Sequence, residues 1–127
     1  VRFIGWVAEP APYIAASDVF CMPSRHEPLG NVVLEAWQLQ IPTIASSSEG
    51  PTWFMRDGQN GLLFPIDDVQ ALTQALQRLK ADSELRRSLV DGATQTTQQM
   101  FTKDAIVDQY LQLIKDFQSQ TKWPCKS

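Results

Sequence analysis

Three short apolar runs set the terms for this chain: Val19-Phe20-Cys21-Met22, Thr43-Ile44-Ala45 and Leu62-Leu63-Phe64. None alternates apolar with polar residues. A strand with one wet face alternates, so runs of this kind read as strands buried on both faces, the habit of parallel sheets. Pro23 stops the first and Pro65 the third, while the polar run 46–50 follows the second. Helical segments lie between and after them. Residues 31–39 are nearly all apolar apart from Glu35 and Gln38, which predicts a helix buried on most sides. Short helices opening at prolines are expected after Pro10 and over 51–56. Asp67-Asp68 caps a helix carrying Val69, Leu72, Ala75, Leu76 and Leu79 at helical spacing. A second is capped by Asp82 or Ser83, with Gly92 weakening its end, and a third starts near Lys103. Residues 1–4 are expected as a further strand, ended by Gly5. The order predicts an α/β fold with right-handed crossovers. It is a three-layer, partial Rossmann-like domain over residues 1–120, with a parallel sheet of about four strands, C-terminal helices and a flexible tail at 121–127.

Composition narrows the function. The chain has 127 residues, is 43% hydrophobic and 20% charged, and carries a net charge of -3. A core of ordinary size is expected and disorder is not. The acidic balance argues against a nucleic-acid partner, which would call for a basic face. Two distant cysteines, Cys21 and Cys125, and one histidine lack the spacing of a disulfide framework or a zinc site. No apolar run approaches about 18 residues, so no transmembrane helix is expected. The chain opens as if in mid-strand at Val1, which suits a piece of a longer protein, with the cytoplasm as the default compartment.

The chemistry is concentrated between Pro23 and Trp37. There a strand leaves the sheet, a polar loop turns and a helix begins. Ligands of open parallel sheets sit outside the carboxyl ends of the strands. The amides of Leu29, Gly30, Asn31 and Val32 would point into that crevice with the positive end of the helix dipole, a natural phosphate cradle. Gly30 lets a ligand approach the backbone. Neither the dinucleotide fingerprint nor the P-loop pattern is present. Glu27 stands before the helix and Glu35 about two turns into it. A carboxylate accepts hydrogen bonds from vicinal hydroxyls, so two carboxylates flanking phosphate-binding amides point to a sugar nucleotide. Arg25 could touch phosphate or pair with Asp18 or Glu27, and Gly50 could line the pocket or only turn the chain. The lone His26 lies beside the site. The four tryptophans, Trp6, Trp37, Trp53 and Trp123, read as packing.

The run Glu27-Pro28-Leu29-Gly30-Asn31-Val32-Val33-Leu34-Glu35-Ala36 resembles the E-x7-E motif of retaining GT-B glycosyltransferases of the family 4 type. Ala16-Ser17-Asp18-Val19-Phe20-Cys21-Met22-Pro23-Ser24, Ile41-Pro42-Thr43-Ile44-Ala45, Glu49-Gly50-Pro51 and Asp57-Gly58-Gln59-Asn60-Gly61-Leu62-Leu63 are similar to the segments around that motif, in the expected order. The resemblance implies the donor-binding, C-terminal half of a two-domain transferase that takes its sugar from a nucleoside diphosphate, in polysaccharide or lipopolysaccharide synthesis. It implies Glu27 near the donor sugar as the catalytic carboxylate and Glu35 on the ribose. The loop Arg25, His26, Pro28, Leu29, Gly30, Asn31, Val32 would hold diphosphate and sugar, with Gly50 alongside. It implies no metal or other cofactor. The partner would be an acceptor-binding N-terminal domain, with the basic phosphate clamp also upstream of Val1, so this chain alone is expected to be nearly inactive. Through that half the protein would be cytoplasmic or peripheral to the inner membrane. Two alternatives stay open: a non-catalytic sugar-nucleotide-binding subunit, and a GT-B sugar-nucleotide epimerase. Where relatives of this type carry glycine before the strand proline, this chain has Gln40-Ile41, so the helix must close with some backbone strain. Trp53 stands where many carry glutamate.

Overall fold

A computed structural model describes residues 1–120. Tail residues 121–127, with Trp123 and Cys125, lie outside the described residues. The chain divides into two compact units, Val1–Thr97 and a second beginning at Gln98. The order is α1 (Ala11–Ala15), β1 (Phe20–Met22), α2 (Asn31–Gln38), β2 (Thr43–Ser46), α3 (Glu49–Phe54), β3 (Leu62–Phe64), α4 (Val69–Ala81), α5 (Ser83–Met100) and α6 (Lys103–Gln120). The three strands form one parallel sheet in the order β1-β2-β3. Phe20 pairs with Thr43 and Ile44 with Leu62, and the central strand is buried along its whole length. The apolar runs thus became strands because both faces are covered.

Alternation along the strands sorts side chains between two helical layers. Ile44, Leu62 and Phe64 pack with Leu79 of α4 and Leu89 of α5. On the other face Trp37 of α2 meets Phe54 of α3 edge-to-face, with ring centroids 5.3 Å apart. A Cβ on Gly30 would lie 3.6 Å from Met22 and 3.7 Å from Phe54, so that layer reaches up to the loop before α2.

Four expectations are corrected. The sheet has three strands, and residues 1–4 form none. Val1, Phe3 and Ile4 are exposed, and without a neighbouring strand β-propensity has no ladder to join. Gly92 does not mark a helix end: α5 runs on to Met100, and a Cβ at Gly92 would collide with the Gln59 carbonyl. The glycine is there for close approach. α3 starts at Glu49, ahead of the proline, which falls within its first turn as Pro51. Arg25 pairs with neither Asp18 nor Glu27 but with Asp67, as described below.

The strain expected at the end of α2 is present. Gln40 has φ +59°, its amide donates to Trp37 and the Ile41 amide reaches back to Ala36. This is a Schellman closure with glutamine in the glycine position, at a cost of about 1 kcal/mol.

Candidate functional site

All three strands deliver a loop to the same end of the sheet, and hydrogen bonds lace those loops together. Ser46, the last residue of β2, is buried, and its hydroxyl donates to the Ser24 carbonyl in the loop after β1. The Ser47 amide donates to the Phe64 carbonyl at the end of β3 (2.8 Å). Arg25 donates through Nε to both carboxylate oxygens of Asp67, 2.8 and 3.0 Å away, joining the first loop to the third. That contact holds the Arg25 guanidinium above its ordinary pKa, first by hydrogen bonding and then by charge. Asp67 itself sits at φ +63°.

The loop of residues 23–30 carries the candidate chemistry. Its middle is docked on the start of α3. The Gly50 amide donates to the Glu27 carbonyl at 2.7 Å, and a Cβ on Gly50 would fall 2.4 Å from the Leu29 carbonyl carbon and oxygen. Only glycine permits that approach. Gly50 is buried and its amide is used by the loop, so it works as the loop's seat. The Glu49 carboxylate lies 3.4 Å from both His26 Nδ1 and the Glu27 amide. Its pKa lies below the ordinary value, first through its own amide, then His26, then the Glu27 amide.

Glu27 folds back so that Oε1 accepts from the Gly30 amide at 3.0 Å. Gly30 is the residue before α2, left-handed at φ +88°, and its carbonyl accepts from Val33. The amides of Asn31 and Val32 lie in the first turn of α2, where no earlier helical carbonyl reaches. One of the four cradle amides is therefore already engaged by Glu27. Leu29 and Val32 are part-exposed beside it, at 39% and 36%. Pro28 is exposed in the turn. Glu35 is exposed on α2, but because the helix opens only at Asn31 it stands about one turn in, not the expected two, about 6 Å along the axis from Asn31. Arg25 and His26 are both present at this end, each with a carboxylate partner.

Three residues that organise the site escaped the sequence reading. Ser46 looked like ordinary loop polarity. Asp67 read as a helix cap. Glu49 read only as part of the polar run 46–50 and of a segment similar to the family's, with no role of its own. Each acts on a partner more than twenty residues away in sequence, and no local pattern marks such a pairing. Among the described residues no group of three or more His, Cys, Asp or Glu side chains is arranged to hold a metal, and no helix is long and apolar enough to cross a membrane.

Residues 1–82 match the family described as Glycosyl transferases group 1. Over 114 residues the chain is 47% identical to the lipopolysaccharide core biosynthesis glycosyltransferase LpsE of Rhizobium meliloti (strain 1021), covering 90% of this chain and 34% of that protein. It is 42% identical over 113 residues to LpsD of the same organism, also a lipopolysaccharide core biosynthesis glycosyltransferase, covering 89% and 33%. Among solved structures, sucrose-phosphate synthase of Thermosynechococcus elongatus superposes with a TM-score of 0.73 at 34% identity, over 88% of this chain and 28% of that one. Anabaena HepE, solved in complex with UDP, gives 0.80 at 24% identity over 91% and 32%, a likeness of fold. These neighbours are GT-B glycosyltransferases. The chain spans about a third of the length of the curated relatives it matches.

Proposed function

This chain belongs to the Glycosyl transferases group 1 family, and from that membership we propose that it is the donor-binding portion of a retaining glycosyltransferase. The intact protein would move a sugar from a nucleoside-diphosphate sugar to an acceptor in lipopolysaccharide or polysaccharide synthesis. The observation that carries the reading is that the loops after β1, β2 and β3 are tied to one another at one end of the sheet, with Glu27 and the approach to α2 in the first of them. That is where an open parallel sheet takes its ligand. The names of LpsE and LpsD support the synthesis of lipopolysaccharide core, and the complex of HepE with UDP supports a nucleotide sugar.

In this reading the Asn31 and Val32 amides receive the diphosphate, joined by Gly30 as Glu27 yields its amide. The helix dipole and those N–H groups stabilise charge that grows on the diphosphate as the bond from anomeric carbon to phosphate oxygen breaks. The electron pair leaves with the diphosphate, and no metal is called upon. Glu27 faces the donor sugar, and Glu35 accepts from the ribose hydroxyls. The acceptor, held by an N-terminal domain, brings the hydroxyl that bonds to the anomeric carbon, its proton leaving with the departing diphosphate; the basic phosphate clamp, like that domain, lies upstream of Val1.

The test is a hydrolysis screen of the intact protein across common UDP-, GDP-, ADP- and dTDP-sugars, beside Glu27→Ala and Glu35→Ala. Turnover of one donor, lost in Glu27→Ala and weakened at the KM level in Glu35→Ala, supports the reading. Full activity in Glu27→Ala removes Glu27 from the mechanism. Turnover of none of them, with no nucleotide bound, overturns the donor role.

A further inference from the structure

Glu49 stands where two strand-end loops meet. It opens α3, and its carboxylate spans His26 and Glu27: Oε1 lies 3.4 Å from His26 Nδ1 and Oε2 accepts from the Glu27 amide at 3.4 Å. The next residue, Gly50, donates to the Glu27 carbonyl at 2.7 Å. Both main-chain polar groups of Glu27 are therefore held by the first two residues of α3. The Glu27 side chain leaves this fixed backbone and reaches the Gly30 amide at 3.0 Å, the threshold of α2.

The two holds differ in kind. The Gly50 bond is short, sits under a backbone contact that admits no Cβ, and seats the loop. The Glu49 contacts are long, and its side chain is 64% exposed. Long, solvent-screened contacts add little to global stability. What they restrict is rotation. A residue pinned only at its carbonyl can turn the peptide ahead of it and carry its side chain along. An acceptor on the amide side stops that turn.

We propose that Glu49 is a positioning residue for Glu27: it holds the His26–Glu27 peptide against α3 and so aims the Glu27 carboxylate at the mouth of the α2 cradle. The inference rests on the donor-site reading above. It requires a side-chain oxygen at position 49, which glutamine supplies and alanine does not. Loss of that oxygen leaves the loop seated but lets Glu27 point elsewhere, which affects the reacting end of the donor more than its binding.

The experiment uses the intact protein that carries this chain, with the nucleotide sugar it hydrolyses fastest. Glu49→Ala is expected to lower kcat about tenfold with KM within about twofold, because misaiming costs rate before affinity. Glu49→Gln should recover most of that loss. The thermal midpoint should stay within about 2 °C in both. In the 127-residue chain, the amide NMR signals of Glu27 and Gly30 should move in Glu49→Ala and stay close to wild type in Glu49→Gln. Wild-type kcat in Glu49→Ala overturns the proposal, as does a glutamine variant no better than alanine, or a loss of kcat that only follows a fallen midpoint. If the intact wild type turns over no nucleotide sugar, the donor reading has failed on its own. The amide signals then decide the hold on Glu27, and unmoved signals in Glu49→Ala overturn it.

Discussion

The loops at the two ends of this sheet are made of similar residues and use them differently. At the amino end of β3, the turn around Asn60 satisfies its polar groups internally. Asn60 is 4% exposed; its Oδ1 accepts from Arg56 at 2.7 Å, and its Nδ2 donates to Phe54 and to the Thr96 hydroxyl at 3.1 and 3.0 Å. Asp57 accepts from the Leu63 amide at 2.8 Å. Gly92 lets α5 lie against the Gln59 carbonyl. At the carboxyl end, Gly50 plays the same part for Leu29, yet the side chains above it stay in water: Arg25 at 72% exposure, His26 at 88%, Glu49 at 64%. A buried amide with three partners is structure. An exposed set of charges on a rigid seat is a place for something else to bind.

The comparison can be broken by substitution, and the largest effect belongs to chemistry. Glu27→Ala in the intact protein should cut donor turnover by at least about a hundredfold while costing about 1 kcal/mol of stability, the worth of one lost hydrogen bond. Steady-state rates beside a denaturant titration check both halves. Asn60→Ala should do the reverse, costing about 3 kcal/mol by stranding the Arg56 amide and Phe54 carbonyl, with nucleotide affinity unchanged in the folded fraction. Gly50→Ala sits between them. Its Cβ must push Leu29 away, so about 2 kcal/mol of stability and much of the turnover should go together. Equal stability losses at Glu27 and Asn60 would erase the contrast.

The smaller effects sharpen it. Gln40→Gly removes the left-handed strain after α2 and should raise stability by about 1 kcal/mol without touching turnover, read from the shift in urea midpoint. The least is a pH effect at Glu49. Its folded pKa lies below the ordinary 4.5, so its contacts help above 4.5 and are lost as pH falls through the lowered value. Acid titration of wild type against Glu49→Gln should show a small difference in stability that is constant above about 4.5 and changes only within that window.

Much of the fold was legible because its signals are local. Residues 19–22, 43–45 and 62–64 carry no alternation, and the strands Phe20–Met22, Thr43–Ser46 and Leu62–Phe64 fall on them. Asp68 and Asp82 looked like caps, and their side chains accept from Ala71 and Leu85. The missing glycine at Gln40 announced its own strain. What was not legible depends on partners. Residues 1–4 have strand-forming side chains and no neighbour to pair with. Gly92 looked like a weak helix end until Gln59 stood against it. At the candidate site, residue type and order placed Glu27 and Gly30 in the loop between β1 and α2 and Glu35 on the helix, and the structure has them there. That Arg25 would take Asp67, and that Glu49 would hold His26 and Glu27, could not, since charge alone allowed several pairings.

One measurement addresses the central claim, that the carboxyl-end loops form a nucleotide-sugar donor site. Amide NMR of this chain is followed during titration with UDP, GDP, ADP and dTDP. Weak, saturable binding of at least one is expected, with shifts gathered at residues 27–35 and in the start of α3, and none around Asn60. Shifts centred on residues 57–61, or no shift with any of the four nucleotides, would contradict it.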